Sequence, residues 1–412
     1  MPLRPPAGFI RPGYDPLKVP DAPTIGTASG GDTQASVAFT APANVGGSAI
    51  SAYYAVSSPG QITSSGASSP VTVTGLTNGT AYTFTVWALN TYGPSPYSAA
   101  SGSVTPAAAR GIFGGGLANG SYSNVIQYVT ISTTGNATDF GDLTRTANWI
   151  AACSSSTRGV FGGGGNNDRS NIMDYITIDS TGNAIDFGDL TQPPGNSDNA
   201  GMAGGSNSTR GLFGGGVTVG VGETNIIQYI TIATTGNSID FGDLTTARMW
   251  PSACCSPTRT VFAGGGLFSS APQNTMDYVT TASTGNATDF GDLSVSSARM
   301  AVGVCSSSTR GLFAAVGATY SSGASNTIEY ITIASTGNST DFGDLTLLNS
   351  GNRKASTSST VRGLFAGGGD SVDNTNVIDY VTIASTGNAI DFGDLLTKCD
   401  QQAGLSNAHG GL

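Results

Sequence analysis

Thr235-Gly236-Asn237-Ser238-Ile239-Asp240-Phe241-Gly242-Asp243-Leu244 is one of six closely similar stretches in this chain of 412 residues. The first Asp of each final motif is Asp139, Asp186, Asp240, Asp289, Asp341 or Asp391. Working upstream, each copy holds Asn-x-(Ile/Met/Val)-(Asp/Gln/Glu)-Tyr-(Ile/Val)-Thr, then a Gly-rich run, then Arg-Gly-(Ile/Val/Leu)-Phe or a close variant. The repeat arginines are Arg110, Arg158, Arg210, Arg259, Arg310 and Arg362. A unit of roughly fifty residues in tandem is the signature of a propeller or a solenoid, because one unit cannot bury its own apolar face.

Four strands fit one copy. The first is a small-residue strand such as Trp149-Ile150-Ala151-Ala152-Cys153. The second is Arg-Gly-x-Phe. The third is the Asn-to-Thr run, read as a strand of period two. The fourth passes through Asp-Phe-Gly-Asp-Leu, with Thr-Gly-Asn as the hairpin turn before it. Copy one lacks its first strand. Downstream of the last copy, Ala403-Gly404-Leu405-Ser406-Asn407-Ala408-His409-Gly410-Gly411 has the look of that strand and its turn. Pairing the two closes a ring and leaves no sheet edge open. Residues 107–412 are therefore expected to form a six-bladed β-propeller of four-stranded blades, closed by a C-terminal strand. Through its glycine run and four-strand period the pattern resembles kelch-type propellers, although it has no Trp at a fixed repeat position.

Residues 21–106 read differently. Tyr82-Thr83-Phe84-Thr85-Val86-Trp87-Ala88 alternates cleanly, and turn residues separate several such runs at the spacing of a β-sandwich. Leu76-Thr77-Asn78-Gly79-Thr80-Ala81-Tyr82 resembles the tyrosine corner of fibronectin type III domains. Ala22-Pro23-Thr24 and Asn90-Thr91-Tyr92-Gly93-Pro94-Ser95 also resemble that family. The family's early-strand Trp is replaced near Val37 and Phe39. Such domains are commonly spacers or adhesion modules. Residues 1–20 carry six prolines and read as an extended arm. Phe9, Ile10, Tyr14 and Leu17 give that arm an apolar side suited to anchoring on a partner, the alternative being a disordered tail.

Composition narrows function by exclusion. Only 10% of residues are charged, the net charge is -10, and Lys plus Arg number 16 without clustering. Phosphate-driven nucleic-acid binding is disfavoured. Poor helix formers dominate, so the fold class is all-β. No apolar run is long enough for a spanning helix, so no membrane insertion is expected. His409 is the only histidine, which leaves little room for a Ser-His-Asp or Cys-His site. No Cys-x-x-Cys spacing marks a metal, and no cofactor is expected. Cys153, Cys254 and Cys305 each precede a repeat Arg by the same distance. They read, with Cys255 and Cys399, as buried apolar residues rather than disulfide partners. The repeat Arg and Asp residues read as structural ion pairs bracing each blade. A cation at each Asp-x-x-Asp is the alternative.

Comparing the copies divides the ring. From the repeat Asn to the first motif Asp the separation never changes, so the third-to-fourth turn is fixed. The second-to-third connections differ, through 117–123, 165–170, 217–224, 266–273, 317–325 and 369–375. The fourth-to-first connections differ too. In an up-and-down sheet both lie at one end, which is where a scaffold carries recognition, or where unconstrained turns drift. Tyr122, Trp149, Trp250, Phe268 and Tyr320 lie in or beside that end and form the candidate ligand face.

Extracellular-style modules without a recognisable secretion signal are the combination expected of phage virion proteins, which lysis releases. Arrays of Thr-Arg-Gly-x-Phe-Gly-Gly and Thr-Gly-Asn-Ala-x-Asp-Phe-Gly-Asp-Leu resemble tail or virion structural proteins of marine and cyanobacterial phages. The resemblance implies a non-enzymatic virion protein, assembled in the host cytoplasm: a tail fibre, a tail-associated protein or a capsid-decorating adhesin. Its arm would hold other virion proteins and its propeller would meet a host glycan or protein. A homo-oligomer is compatible with that role. The alternatives are a bacterial surface adhesin or extracellular filament component, and a carbohydrate-active propeller enzyme with paired carboxylates.

Overall fold

The computed structural model describes residues 18–165, 170–191, 199–218, 220–266, 273–294, 303–316, 323–349, 354–369 and 373–412. These residues are strands, turns and bends, with no helix among them. The chain divides into two compact units, Met1–Ala108 and Ala109–Leu412.

The first unit is a sandwich of two antiparallel sheets. One holds Thr24–Gly31, Gln34–Thr40 and Val71–Thr74; the other orders Thr63–Gly66, Ala52–Ser58, Thr83–Asn90 and Gly93–Pro94. Alternation decides which side chains face in. Along Thr83–Asn90 every second residue is buried. Phe84, Val86 and Ala88 thereby meet Val37, Val71 and Val73 in one core. Phe39 packs on Tyr53 with ring centroids 4.7 Å apart, so Val37 and Phe39 fill the core region where the resemblance led one to look for a Trp. The Tyr82 hydroxyl accepts the Thr77 N–H at 3.1 Å, pinning the connection before the strand. Past Gly93–Pro94 the chain continues along the same sheet by serines. The hydroxyls of Ser95, Ser98 and Ser101 accept the N–H groups of Ala88, Val86 and Phe84, each at 2.9 Å.

The second unit contains six four-stranded antiparallel sheets, one per copy. In the second copy the order is Ala151–Ser154, Arg158–Gly162, Ile172–Thr177 and Ile185–Asp189. The third to sixth copies repeat that order, their inner strands being Ala203–Ser206, Ser252–Cys255, Gly303–Ser306 and Ala355–Ser358. The first copy contributes Arg110–Gly114, Val125–Thr130 and Thr138–Asp142, and its inner strand is Ala403–Ser406. Each inner strand lies against the inner strand of the next copy, and Ala403–Ser406 lies against both Ala355–Ser358 and Ala151–Ser154.

The core is likewise built between copies. The Phe of each Arg-Gly-x-Phe packs on the small residue that ends the second strand of the copy before. A Cβ added to Gly114 would lie 2.9 Å from the Phe161 ring, and one on Gly214 would lie 2.7 Å from Phe262. Ala263 shares a cluster with Phe313, Ala314 with Phe365, and Ala366 with Phe113 of the first copy. Each fully buried Phe contributes roughly 1.5–3 kcal/mol.

The third strand departs from simple alternation. A register shift falls at Ile126/Gln127 and at the equivalent place in every other copy. Two consecutive residues, Ile126 and Gln127, are consequently buried. Opposite the shift stands the Gly of Asp-Phe-Gly-Asp, Gly141 at φ 147°. Its hypothetical Cβ would lie 2.4 Å from the Gly182 carbonyl of the next copy. Position and conformation both require glycine there. The period-two reading of this strand is thus corrected: the bulge turns a polar side chain inward.

Candidate functional site

Each repeat arginine opens a second strand, so its register partner on the third strand is the closing Thr, as Arg110 faces Thr130. Two residues before that Thr, on the same face, is the repeat Tyr. The Arg110 guanidinium lies 4.9 Å from the centre of the Tyr128 ring, and the other five pairs lie at 4.4–4.8 Å. Every such Tyr meets the motif Phe edge-on, at 6.0 Å for Tyr175 and Phe187. The same guanidinium donates to a backbone carbonyl of the following copy. Arg158 reaches the Ile232 oxygen at 2.9 Å, Arg310 the Ile383 oxygen at 2.9 Å, and Arg362 the Ile131 oxygen at 3.1 Å.

Among the described residues no repeat arginine forms an ion pair, which corrects the expected Arg–Asp pairing. The reason is strand spacing. Arg110, Arg158, Arg210, Arg259, Arg310 and Arg362 sit on second strands. Asp139, Asp186, Asp240, Asp289, Asp341 and Asp391 sit on fourth strands, two steps of roughly 4.8 Å away with the Tyr between. Those six Asp side chains are exposed. Among the described residues no three His, Cys, Asp or Glu groups come together to hold a metal ion.

The Thr-Gly-Asn turn and the Asp-Phe-Gly-Asp strand serve as a clasp between neighbours. Gly182 and Ala184 donate to the carbonyls of Phe140 and Asp142, both at 2.7 Å, and Asn183 accepts the Asp142 N–H at 3.0 Å. The same three bonds recur between all successive copies, and Gly135, Asn136 and Ala137 make them to Phe392 and Asp394. The inward polar residue of the bulge joins them. Asp174, Gln228, Asp277, Glu329 and Asp379 each accept a bond from the residue that follows the preceding copy's Asp-Phe-Gly-Asp-Leu. Gln127 accepts one from Leu396 at 2.8 Å.

Where the bulge residue is Asp, a buried cation has been drawn to it. Arg248 and Asp277 pair at 2.7 Å with both side chains fully buried. Arg145 beside Asp174 and Lys354 beside Asp379 are the looser versions, their cations bonded to backbone carbonyls. Desolvation lowers the pKa of Arg145, Arg248 and Lys354, and raises that of Asp174 and Asp379.

At the end of the inner strands the hydroxyls form a girdle. Ser154, Ser206, Ser306, Ser358 and Ser406 each donate to the carbonyl of the girdle residue one copy back. Cys255 takes the sixth place, where its sulfur accepts the Ser206 N–H at 3.2 Å. Against this girdle lies His409. Its Nε2 donates to the Ser154 carbonyl at 3.0 Å and its Nδ1 accepts the Gly411 N–H at 3.1 Å, so the ring is neutral. Desolvation lowers its pKa from the ordinary 6.5. A small cavity of about 60 Å³ remains between the girdle and the His409 ring. All five cysteines are buried and free. Burial pushes the Cys255 thiol up to about 11 and the Cys399 thiol up to about 12, which keeps both protonated and unreactive.

At the opposite end, where the unequal connections lie, Trp149 and Trp250 come together. Their ring centroids are 5.2 Å apart and tilted by 35°. Both are half-buried over Ala200, Val217 and Met249. Both have left-handed backbones, at φ 54° and 56°. Tyr122 stands on a short strand, Ser121–Tyr122, paired with Leu117–Ala118, which in turn pairs with Cys399–Asp400. Phe268 and Tyr320 lie outside the described residues, as do Phe9, Ile10, Tyr14 and Leu17 of the arm. Sequence reasoning missed the girdle, the inward bulge residue and His409's place. The Ser four residues before Arg158, Arg210, Arg310 and Arg362 was the available signal for the girdle.

The class these features define is an all-β chain with an N-terminal sandwich and a repeat unit built on six four-stranded sheets. Residues 21–103 match the family model of the fibronectin type III domain, so the sandwich is a domain of that type. No curated protein matches the chain.

Proposed function

We propose that residues 109–412 form a six-bladed, kelch-like β-propeller. We propose further that the chain is a non-enzymatic structural protein of a phage virion, displaying the propeller's variable end to the host surface. The observation that carries the first part is the return of every inter-copy contact from the sixth copy to the first. Arg362 bonds to Ile131, Gly135 to Phe392, and Leu396 to Gln127, while Ala403–Ser406 supplies the first copy's inner strand. An open stack has no reason to bond its ends to one another.

Support for the second part is chemical. The repeated Arg, Tyr, Phe and Asn side chains are consumed in joining one copy to the next, which is scaffolding. The only histidine is held by backbone groups on both ring nitrogens. The half-buried Trp pair stands at the end where the connections differ, as a display role requires. The motif arrays resemble phage virion proteins, and the arm of residues 1–20 would hold the particle.

Density-gradient fractionation of lysates from cells producing the chain tests this reading. The chain is expected to band with phage particles and to be labelled by antibody on their exterior. Recovery in the bacterial envelope would identify an adhesin instead, and turnover of a glycan by the purified chain would overturn the non-enzymatic assignment.

A further inference from the structure

We propose that residues 407–412 are an acid-released latch: they lie across one end of the six inner strands, and protonation of His409 lets them go while Ala403–Ser406 stays paired. This rests on the closed arrangement of those strands and not on the display role. In copies two to six a short turn carries the inner strand into the second strand, and its first residue caps the repeat Arg. Ser155, Asn207, Ser256, Ser307 and Ser359 accept the N–H groups of Arg158, Arg210, Arg259, Arg310 and Arg362 at 2.8–3.1 Å. Copy one has no such turn, because its first two strands come from opposite ends of the repeat unit. Asn407 still caps the Arg110 N–H, at 2.8 Å, and the residues after it run on across the strand ends.

The crossing touches every copy. Ala408 packs on the cluster shared by the sixth and first copies, and its N–H donates to the Ser406 hydroxyl. His409 bonds to Ser154 of the second copy and stands 3.3 Å from the Ser206 hydroxyl of the third. Gly410 donates to the Ser306 carbonyl of the fifth at 3.0 Å. A Cβ on Gly410 would overlap the Ser307 carbonyl and lie 2.7 Å from the Cys255 carbonyl of the fourth. One on Gly411 would overlap the Ser206 carbonyl. Two glycines thus let the backbone lie directly on the girdle.

His409 is the pin of this latch. Its Nδ1 accepts the Gly411 N–H and its carbonyl accepts the Leu412 N–H, both at 3.1 Å, so the ring and its own turn hold each other. A proton on Nδ1 sets two donors face to face and leaves Gly411 without its acceptor. The Nε2–H bond to Ser154 favours the charged ring, but desolvation outweighs it. The ring is half-buried, so protons reach it in the folded state. No carboxylate compensates the charge: among the described residues lining the small cavity beside the ring, none is Asp, Glu, Lys or Arg. The titratable groups there are Cys153, Cys255 and Cys305, from the second, fourth and fifth copies, all held neutral by burial. The first, third and sixth copies present the hydroxyls of Ser406, Ser206 and Ser358. The charged residues bonded to the segment, Arg110 and Asp179, meet Asn407 rather than the ring.

His409 is the only histidine, so the full chain grown on isotope-labelled histidine gives a single imidazole spectrum. Its NMR signals are followed from about pH 7.5 to about pH 4.5 beside amide exchange of residues 403–412, corrected for the intrinsic rate at each pH. At neutral pH the Nε2–H tautomer is expected, with Ala408, Gly410, Gly411 and Leu412 protected. Below 6.5 their protection should fall roughly tenfold per pH unit, while residues 403–406 and 151–154 keep theirs. His409→Gln takes up no proton in this range and should lose that pH dependence. Gly410→Ala should free the segment already at neutral pH, and it stands in should the glutamine variant fail to fold. Protection that does not change with pH, an equal fall in His409→Gln, a segment still protected in Gly410→Ala, or simultaneous loss of 403–406 at acid pH would overturn the latch. Loss of protection at 403–406 already at neutral pH would instead remove the closed arrangement on which it rests.

Discussion

The repeat arginine shows how little a fixed spacing says about a partner. Its guanidinium lies on Tyr and bonds to a carbonyl of the next copy, so its contribution is cation–π and hydrogen bonding within a packed seam. Arg310→Ala is expected to destabilise the repeat unit by roughly 1–3 kcal/mol, and Arg310→Lys by nearly as much, because an ammonium cannot stack flat on Tyr330 while reaching Ile383. Thermal melts at about 0.05 M and about 0.5 M salt check the origin of the effect. The loss should be the same at both, whereas an exposed Arg–Asp pair would lose most of its effect at high salt. His409 gives a second test at this scale. Its folded-state pKa is depressed, so the unfolded chain binds a proton first as pH falls. Its contribution is complete above 6.5 and declines as pH drops below that value. The melting temperature of the wild type should therefore fall further between neutral and mildly acidic pH than that of His409→Gln. Equal falls would show that the ring is not held neutral against Ser154 and Gly411.

Among the elements, the fourth strand and its turn matter most, since they join the copies from outside while the inner strands join them from within. Gly291 illustrates the constraint: φ is 139° and a Cβ would lie 2.5 Å from the Gly337 carbonyl of the next copy. Gly291→Ala is expected to cost on the order of 1–3 kcal/mol, measured by chemical denaturation, by forcing the Asp292–Asn338 clasp apart. Gly285→Ala should cost less, because no neighbouring atom lies near its Cβ. The strands themselves were legible in the sequence. Arg-Gly-x-Phe, the Asn-to-Thr run and Asp-Phe-Gly-Asp each became a strand. The bulge was not legible, because it arises from a glycine acting on the strand beside it. Nor was the pairing of the polar bulge residue with a neighbour's Thr, Ser or Leu, which joins positions on different copies. Within the sandwich, Tyr82 was readable because its partner Thr77 lies in the same short motif.

For the whole molecule, the copy number and the phase of each motif could be counted from the chain, and Ala403–Ser406 could be recognised by its likeness to the other inner strands. The meeting of Trp149 and Trp250 could not be read, because it needs two connections from different copies and the glycine between them. The cores tell the same story: each of the main repeat clusters draws residues from two copies, one of them from the sixth and the first. No copy then holds a core of its own, and the repeat unit should unfold as one body. The central claim is that the six sheets close on themselves through Ala403–Ser406. Amide hydrogen exchange on the full chain tests it most directly. The account predicts that residues 403–406 and 110–114 are protected as strongly as Ala151–Ser154 and Arg158–Gly162, which are bonded in the same way within one copy. Exchange of 403–406 at the rate of an unstructured peptide, with 110–114 exposed along its free edge, would contradict it.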